Sequence, residues 1–133
     1  MSTSSTAVAQ TLLKTMTMPA HIDASGQVPT GWLLAQMDLA GAVLPGQHFT
    51  APVALVGLSD VVLLARPRLG QCVTFTGRLL SCNTQEACVA VEAWSEERGQ
   101  TGAAPLMRAQ LRYVPAKIEV PGNLFPGTFP AGD

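Results

Sequence analysis

Residues 30–44 read Thr30-Gly31-Trp32-Leu33-Leu34-Ala35-Gln36-Met37-Asp38-Leu39-Ala40-Gly41-Ala42-Val43-Leu44, and the reading of this stretch decides the fold. Thr30 is a suitable helix N-cap, with Gly31 opening the first turn. Leu, Ala and Met favour the helix, and Pro45-Gly46 is expected to end it, which predicts one helix over residues 31–44. Only Gln36 and Asp38 interrupt an otherwise apolar circumference. A helix apolar all round is one that the rest of the molecule must enclose.

The flanking sequence supplies the enclosing material. Val8 to Met18 reads as a strand, with Leu12, Met16 and Met18 sharing a face with Lys14, and Thr11, Thr15 and Thr17 on the other; Pro19 stops it. His21 to Thr30 is a loop rich in turn residues. After the helix come four strand-like segments, 51–64, 71–80, 87–95 and 106–114. The first has a bend expected at Gly57 and Ser59-Asp60. The last puts Met107, Ala109, Leu111 and Tyr113 on one face and Arg108, Gln110 and Arg112 on the other. One strand, one helix and four more strands predict an α+β domain: a five-stranded antiparallel sheet curled around a central helix. Residues 1–7 and the proline-rich stretch 115–133 are expected to be irregular, and the whole chain to form a single domain.

Composition bounds the function. The chain has 133 residues, and its 47 % hydrophobic against 13 % charged content is more apolar surface than one small core uses, which favours a covering partner. A net charge of −1 without a basic block gives no footprint for nucleic acid. No secretory signal and no membrane-spanning run are read. Cys72, Cys82 and Cys88 lack C-x-x-C spacing, so they read as reduced thiols of a cytoplasmic protein rather than zinc ligands or a disulfide framework.

Thr17-Met18-Pro19, Gly26 and the run Gly31-Trp32-Leu33-Leu34-Ala35-Gln36-Met37-Asp38-Leu39-Ala40-Gly41 are similar to the signature of YciA-like acyl-CoA thioesterases, with matched spacing from Pro19 to Gly41. Leu64-Ala65-Arg66-Pro67 with Gly70 resembles the turn of that family more loosely. The resemblance implies a hotdog fold, hydrolysis of an acyl-CoA, and Asp38 as general base or nucleophile. Departures fall at Asp23, where relatives carry Asn, and at Pro29-Thr30-Gly31, Gln27 and Gln71.

Physical chemistry narrows each role. A carboxylate inside an apolar helix must be hydrogen-bonded, paired or protonated, so Asp38 needs a reason to be there. The first-turn amides of Gly31, Trp32 and Leu33 form the positive end of the helix and are suited to an oxyanion. Asp38 lies about 10 Å further along the axis, too far for both to act on one carbonyl. One chain therefore cannot supply both parts. A two-fold dimer can, and the resemblance implies that arrangement, extending to trimers of dimers. Asp23 is either protonated beside the site or caps a turn. Thr30, Ser59 and Asp60 are candidate substrate contacts, and Arg66 and Arg68 candidate contacts for CoA phosphates. Gln36 is expected to bond a sheet carbonyl. No metal or redox cofactor is expected, CoA being part of the substrate. Two rivals remain: a binding module that has lost turnover, and a hotdog hydratase, which needs His21 or His48 beside an acid.

Overall fold

The computed structural model describes residues 8–96 and 102–116; the irregular stretches expected at 1–7 and beyond 116 lie outside them. Strand β1 (Gln10–Met16) and a short 3-10 turn (Pro19–His21) lead to helix α1 (Thr30–Gly41) and helix α2 (Val43–Phe49). Strands β2 (Val53–Leu63), β3 (Cys72–Cys82), β4 (Ala87–Glu96) and β5 (Ala104–Pro115) follow. The sheet has five antiparallel strands in the order β1-β3-β4-β5-β2, so β1 and β2 are its edges.

Pro45 starts a helix instead of ending one. It occupies the third position of α2, where a missing N–H is tolerated. Having no N–H, Pro45 cannot bond the Gly41 carbonyl, and the chain turns at Ala42 between the two helices. The Gly46 N–H then bonds the Ala42 carbonyl at 2.9 Å. Pro29, not Thr30, is the N-cap residue of α1, and no side chain caps it.

The core lies between α1 and the concave face of the sheet. Leu33, Met37 and Ala40 meet Val73, Phe75, Val89, Val91, Ala93, Met107, Leu111 and Tyr113, all buried. Alternation in β4 is regular, Ala87, Val89, Val91, Ala93 and Ser95 pointing inward. The expected bend in β2 is present as two register shifts, between Leu55 and Gly57 and between Ser59 and Val62, with Asp60 at φ 53°. β5 continues one residue past its expected end, Pro115 pairing with Val53.

Of two expectations about faces, the first is refined and the second corrected. In β1 the residue driven inward at the strand's end is Thr17, while Met16 and Met18 stay exposed. The hydroxyl of Thr17 donates to the Arg68 carbonyl at 2.6 Å, and its main chain bonds Gly70 and Gln71 at 3.1 Å each, so the loop after β2 is tied to the end of β1. The second concerns α1, which is not enclosed on every side within one chain. Gly31, Ala35, Asp38 and Leu39 form an exposed stripe at helical spacing. A sheet reaches round one side of a helix; the opposite side is left for something else.

Candidate active site

Asp38 stands on that uncovered stripe, exposed in the single chain, and the expectation of a carboxylate sunk in the core is corrected accordingly. Its neighbours on the stripe are apolar, Leu39 being 63 % exposed. One oxygen is fixed from below: the Tyr113 hydroxyl lies 3.0 Å from Asp38 Oδ1 and 2.9 Å from the Asp38 main-chain oxygen. Oδ2 has no partner among the described residues. Burial, and secondarily the hydrogen bond to Asp38, push the Tyr113 phenol well above its ordinary range, so it stays protonated and donates. Gly41 makes this contact possible, because a Cβ there would sit 2.6 Å from the Tyr113 oxygen. Sequence reasoning placed Tyr113 on one strand face with Met107, Ala109 and Leu111 without assigning it a role. The available signal was the only tyrosine of the chain on an apolar strand face, where a phenol requires an acceptor.

At the start of α1 the amides of Gly31 and Trp32 differ. The Trp32 N–H already donates to the Pro29 carbonyl at 3.1 Å, so it is withdrawn from the oxyanion role. The Gly31 N–H has no backbone acceptor among the described residues, and outside its chain neighbours and its own helix backbone no described atom lies within 4 Å of where a Gly31 side chain would begin. Trp32 is half-buried against the core, its ring 5.2 Å from that of His21.

Asp23 resolves as a turn cap. Its Oδ1 accepts from the Ser25 hydroxyl, from the Ser25 amide at 2.9 Å and from the Gln27 amide at 3.1 Å. The Ser25 hydroxyl first, then the Gln27 amide, hold this carboxyl below the usual carboxylate range, which argues against the protonated alternative. Gly26 closes the same turn at φ 82°, a conformation that favours glycine. Thr30 is the first residue of α1, half-buried beside Gly31.

The loops 23–28 and 64–71 meet where Arg66 Nη1 donates to Gln27 Oε1 at 2.7 Å. Between them lies a hollow of about 450 Å³ lined by Gly26, Gln27, Val28, Arg66, Pro67 and Arg68. Arg66 and Arg68 both line this hollow. Ser59 and Asp60 are not with Asp38. Ser59 pairs with Gln110, and Asp60 lines a separate hollow with Arg78, Glu92 and Arg108, all on the outer face of the sheet. Bulged β2 turns these polar groups away from the helix side. Gln36 is half-buried and makes no hydrogen bond among the described residues, so the expected tie to a sheet carbonyl is not made.

The histidines do not form a dehydratase pair. His21 Nδ1 accepts from the Met18 amide at 3.0 Å, and His48 Nε2 lies 2.8 Å from the Asn83 carbonyl. Neither meets an acid among the described residues.

A five-stranded antiparallel sheet packed on a central helix is a hotdog fold, and the solved structures it resembles are thioesterases. A hexameric thioesterase from Yersinia pestis superposes with TM-score 0.75 at 25 % identity, over 82 % of this chain and 88 % of that one. A hexameric hotdog fold thioesterase of Campylobacter jejuni gives 0.73 at 24 % identity, over 80 % of this chain and 83 % of that one, a likeness of fold. No protein-family model matches the chain. Among curated proteins, the acyl-CoA thioester hydrolase YciA of Escherichia coli is 31 % identical over 108 residues, 77 % of this chain and 80 % of that protein. An uncharacterized acyl-CoA thioester hydrolase of Buchnera aphidicola is 31 % identical over 83 residues, 62 % of each chain. The chain belongs to the YciA family of acyl-CoA thioester hydrolases.

Proposed function

We propose that the protein hydrolyses acyl-CoA thioesters to CoA and a carboxylic acid, at sites shared between two copies of the chain. The observation that carries this reading is Asp38: one acid in an uncovered apolar stripe, with Oδ1 held by Tyr113 and Oδ2 left for chemistry. Membership of the family supports it. Asp38 takes a proton from water as the water oxygen bonds the thioester carbon. The oxyanion is held by the amide of Gly31 of the partner subunit, pre-aimed and at the positive end of α1. The C–S bond then breaks, and the proton passes from Asp38 to the CoA sulfur. Water is the only co-reactant and no oxidation state changes, so the reaction calls for no redox cofactor. The same carboxylate is also placed to attack the thioester directly.

Pairing of two chains is supported by the surface left uncovered. β2 is an edge strand of 11 residues carrying Leu55, Val56, Leu58, Val61 and Leu63, all substantially exposed. A long apolar edge left in water is an association surface. A two-fold axis beside α1 would cover this edge and the stripe together, and would bring Gly31 of one chain to Asp38 of the other. Assembly of such dimers into a hexamer is the further step that the hexameric relatives suggest. Arg66 and Arg68, on their braced loop, are proposed to meet the CoA phosphates. Three free cysteines favour a reducing, cytoplasmic setting. Among the described residues no helix is long and apolar enough to cross a membrane.

The test is turnover of acyl-CoAs of graded chain length by the wild type and by Asp38→Asn. Release of CoA by the wild type, lost in the variant, supports the enzyme. Binding of CoA or acyl-CoA without release by either protein leaves a binding module instead.

A further inference from the structure

We propose that Tyr113 is a positioning residue that chooses which oxygen of Asp38 does the chemistry. The inference rests on the reading of Asp38 as the proton acceptor and adds the group that orients it. The phenol oxygen lies 3.0 Å from Oδ1 and 2.9 Å from the main-chain oxygen of the same residue. The single phenol proton is shared between these two oxygens, so the hydroxyl bridges the main chain and the side chain of one residue and favours the side-chain torsion that keeps Oδ1 beside the main-chain oxygen. With Oδ1 occupied, Oδ2 is the oxygen left without a partner among the described residues, on a residue of the uncovered stripe. Such pre-set geometry matters because a misplaced base loses the near-attack alignment that makes it effective.

The hydroxyl is well suited to this part. Tyr113 is 1 % exposed, so water does not compete for it. It remains a donor whether Asp38 is ionised or has taken up a proton on Oδ2, since Oδ1 accepts in both states. The packing is specific as well. Gly41 leaves room for the phenol, and the nearest other side-chain atom to a Cβ at that position is Leu111 Cδ2 at 3.2 Å. The contact joins residues 75 positions apart, tying the last strand to the middle of α1.

Tyr113→Phe removes the hydroxyl and keeps the ring. The expected result is a fall in kcat of about tenfold to a hundredfold, the scale of one hydrogen bond to a charged group, with KM for the acyl-CoA unchanged. Gly41→Ala is the independent probe, because its methyl displaces the hydroxyl while the tyrosine remains; a similar loss of kcat is expected. In the double variant the methyl enters the space the hydroxyl left, so its kcat is expected to match that of Tyr113→Phe alone. Wild-type kcat in a folded Tyr113→Phe, or multiplied losses in the double variant, overturns the proposal. If Tyr113→Phe does not fold, Gly41→Ala alone decides by the same split of kcat against KM. Asp38→Asn is run beside them. Full turnover by that variant removes the general-base reading and this proposal with it, whereas an inactive Asp38→Asn next to a fully active Tyr113→Phe removes this proposal only.

Discussion

The two sides of α1 are built from the same kinds of residue and do different work. Leu33, Met37 and Ala40 are buried against the sheet, and Leu33 is 1 % exposed. Gly31, Ala35, Asp38 and Leu39 lie on the opposite side, and Leu39 is 63 % exposed. Propensity and hydropathy do not separate the leucines at 33 and 39; the sheet does, by reaching only one of them. The covered side holds the chain together. The uncovered side carries the acid and the first-turn amide, and its apolar residues gain a burial partner only when another surface closes over it. On the function proposed above, the stripe is one half of an interface at which a shared active site would be assembled.

The largest effect that would sharpen this comparison is chemical. Asp38→Asn keeps the size of the side chain and is expected to lower kcat by about 10²–10⁴-fold, the usual contribution of a general base, while the melting temperature changes little. A variant with full turnover would move the chemistry off the stripe. Next comes the covered side: Leu33→Ala is expected to cost about 2–5 kcal/mol of stability, measured by denaturant unfolding. Loss of less than 1 kcal/mol would mean that the covered side is not the core it looks to be. Leu39→Asp asks the same question of the uncovered side. Within the single chain an exposed substitution changes stability by about 0.5 kcal/mol or less. A charge buried at a subunit contact opposes association, so sedimentation is expected to show smaller particles and the assay reduced turnover. An unchanged assembly would place the partner elsewhere.

The smallest expected effect concerns the loop before α1. Asp23 is held below the usual carboxylate range in the folded chain, by the Ser25 hydroxyl first and the Gln27 amide next. Its contribution to loop order is therefore present above the unfolded carboxylate value and lost as pH falls through the lower, folded value. Amide exchange at Ser25 and Gln27, corrected for the intrinsic pH dependence, is expected to show less protection on acidification through that range. Asp23→Ala should be unprotected throughout. Protection that does not vary with pH in the wild type would show that the carboxylate is not what closes the turn.

Much of the architecture was legible from residue order alone. Strands β3, β4 and β5 follow from period-two alternation, the bend in β2 from Gly57 and Ser59-Asp60, and the helix from its composition. These are local signals, set by how side chains project from a short piece of backbone. Asp38 was conspicuous because a lone acid in an apolar run demands an explanation. Pro45 misled for a local reason too: a proline ends one helix or opens the next, and the composition on either side is helical in both cases.

What the sequence by itself determined is the set of elements and the presence of an acid that the core alone does not justify. Which strands are neighbours, which stripe of α1 stays uncovered, that Thr17 clamps the loop at Arg68, that Ser59 and Asp60 turn outward and that Tyr113 reaches Asp38 were decided only in three dimensions. The reason is separation along the chain. Periodicity says which side a residue faces but not what stands there, and the partners of Thr17 and Asp38 lie 51 and 75 positions away.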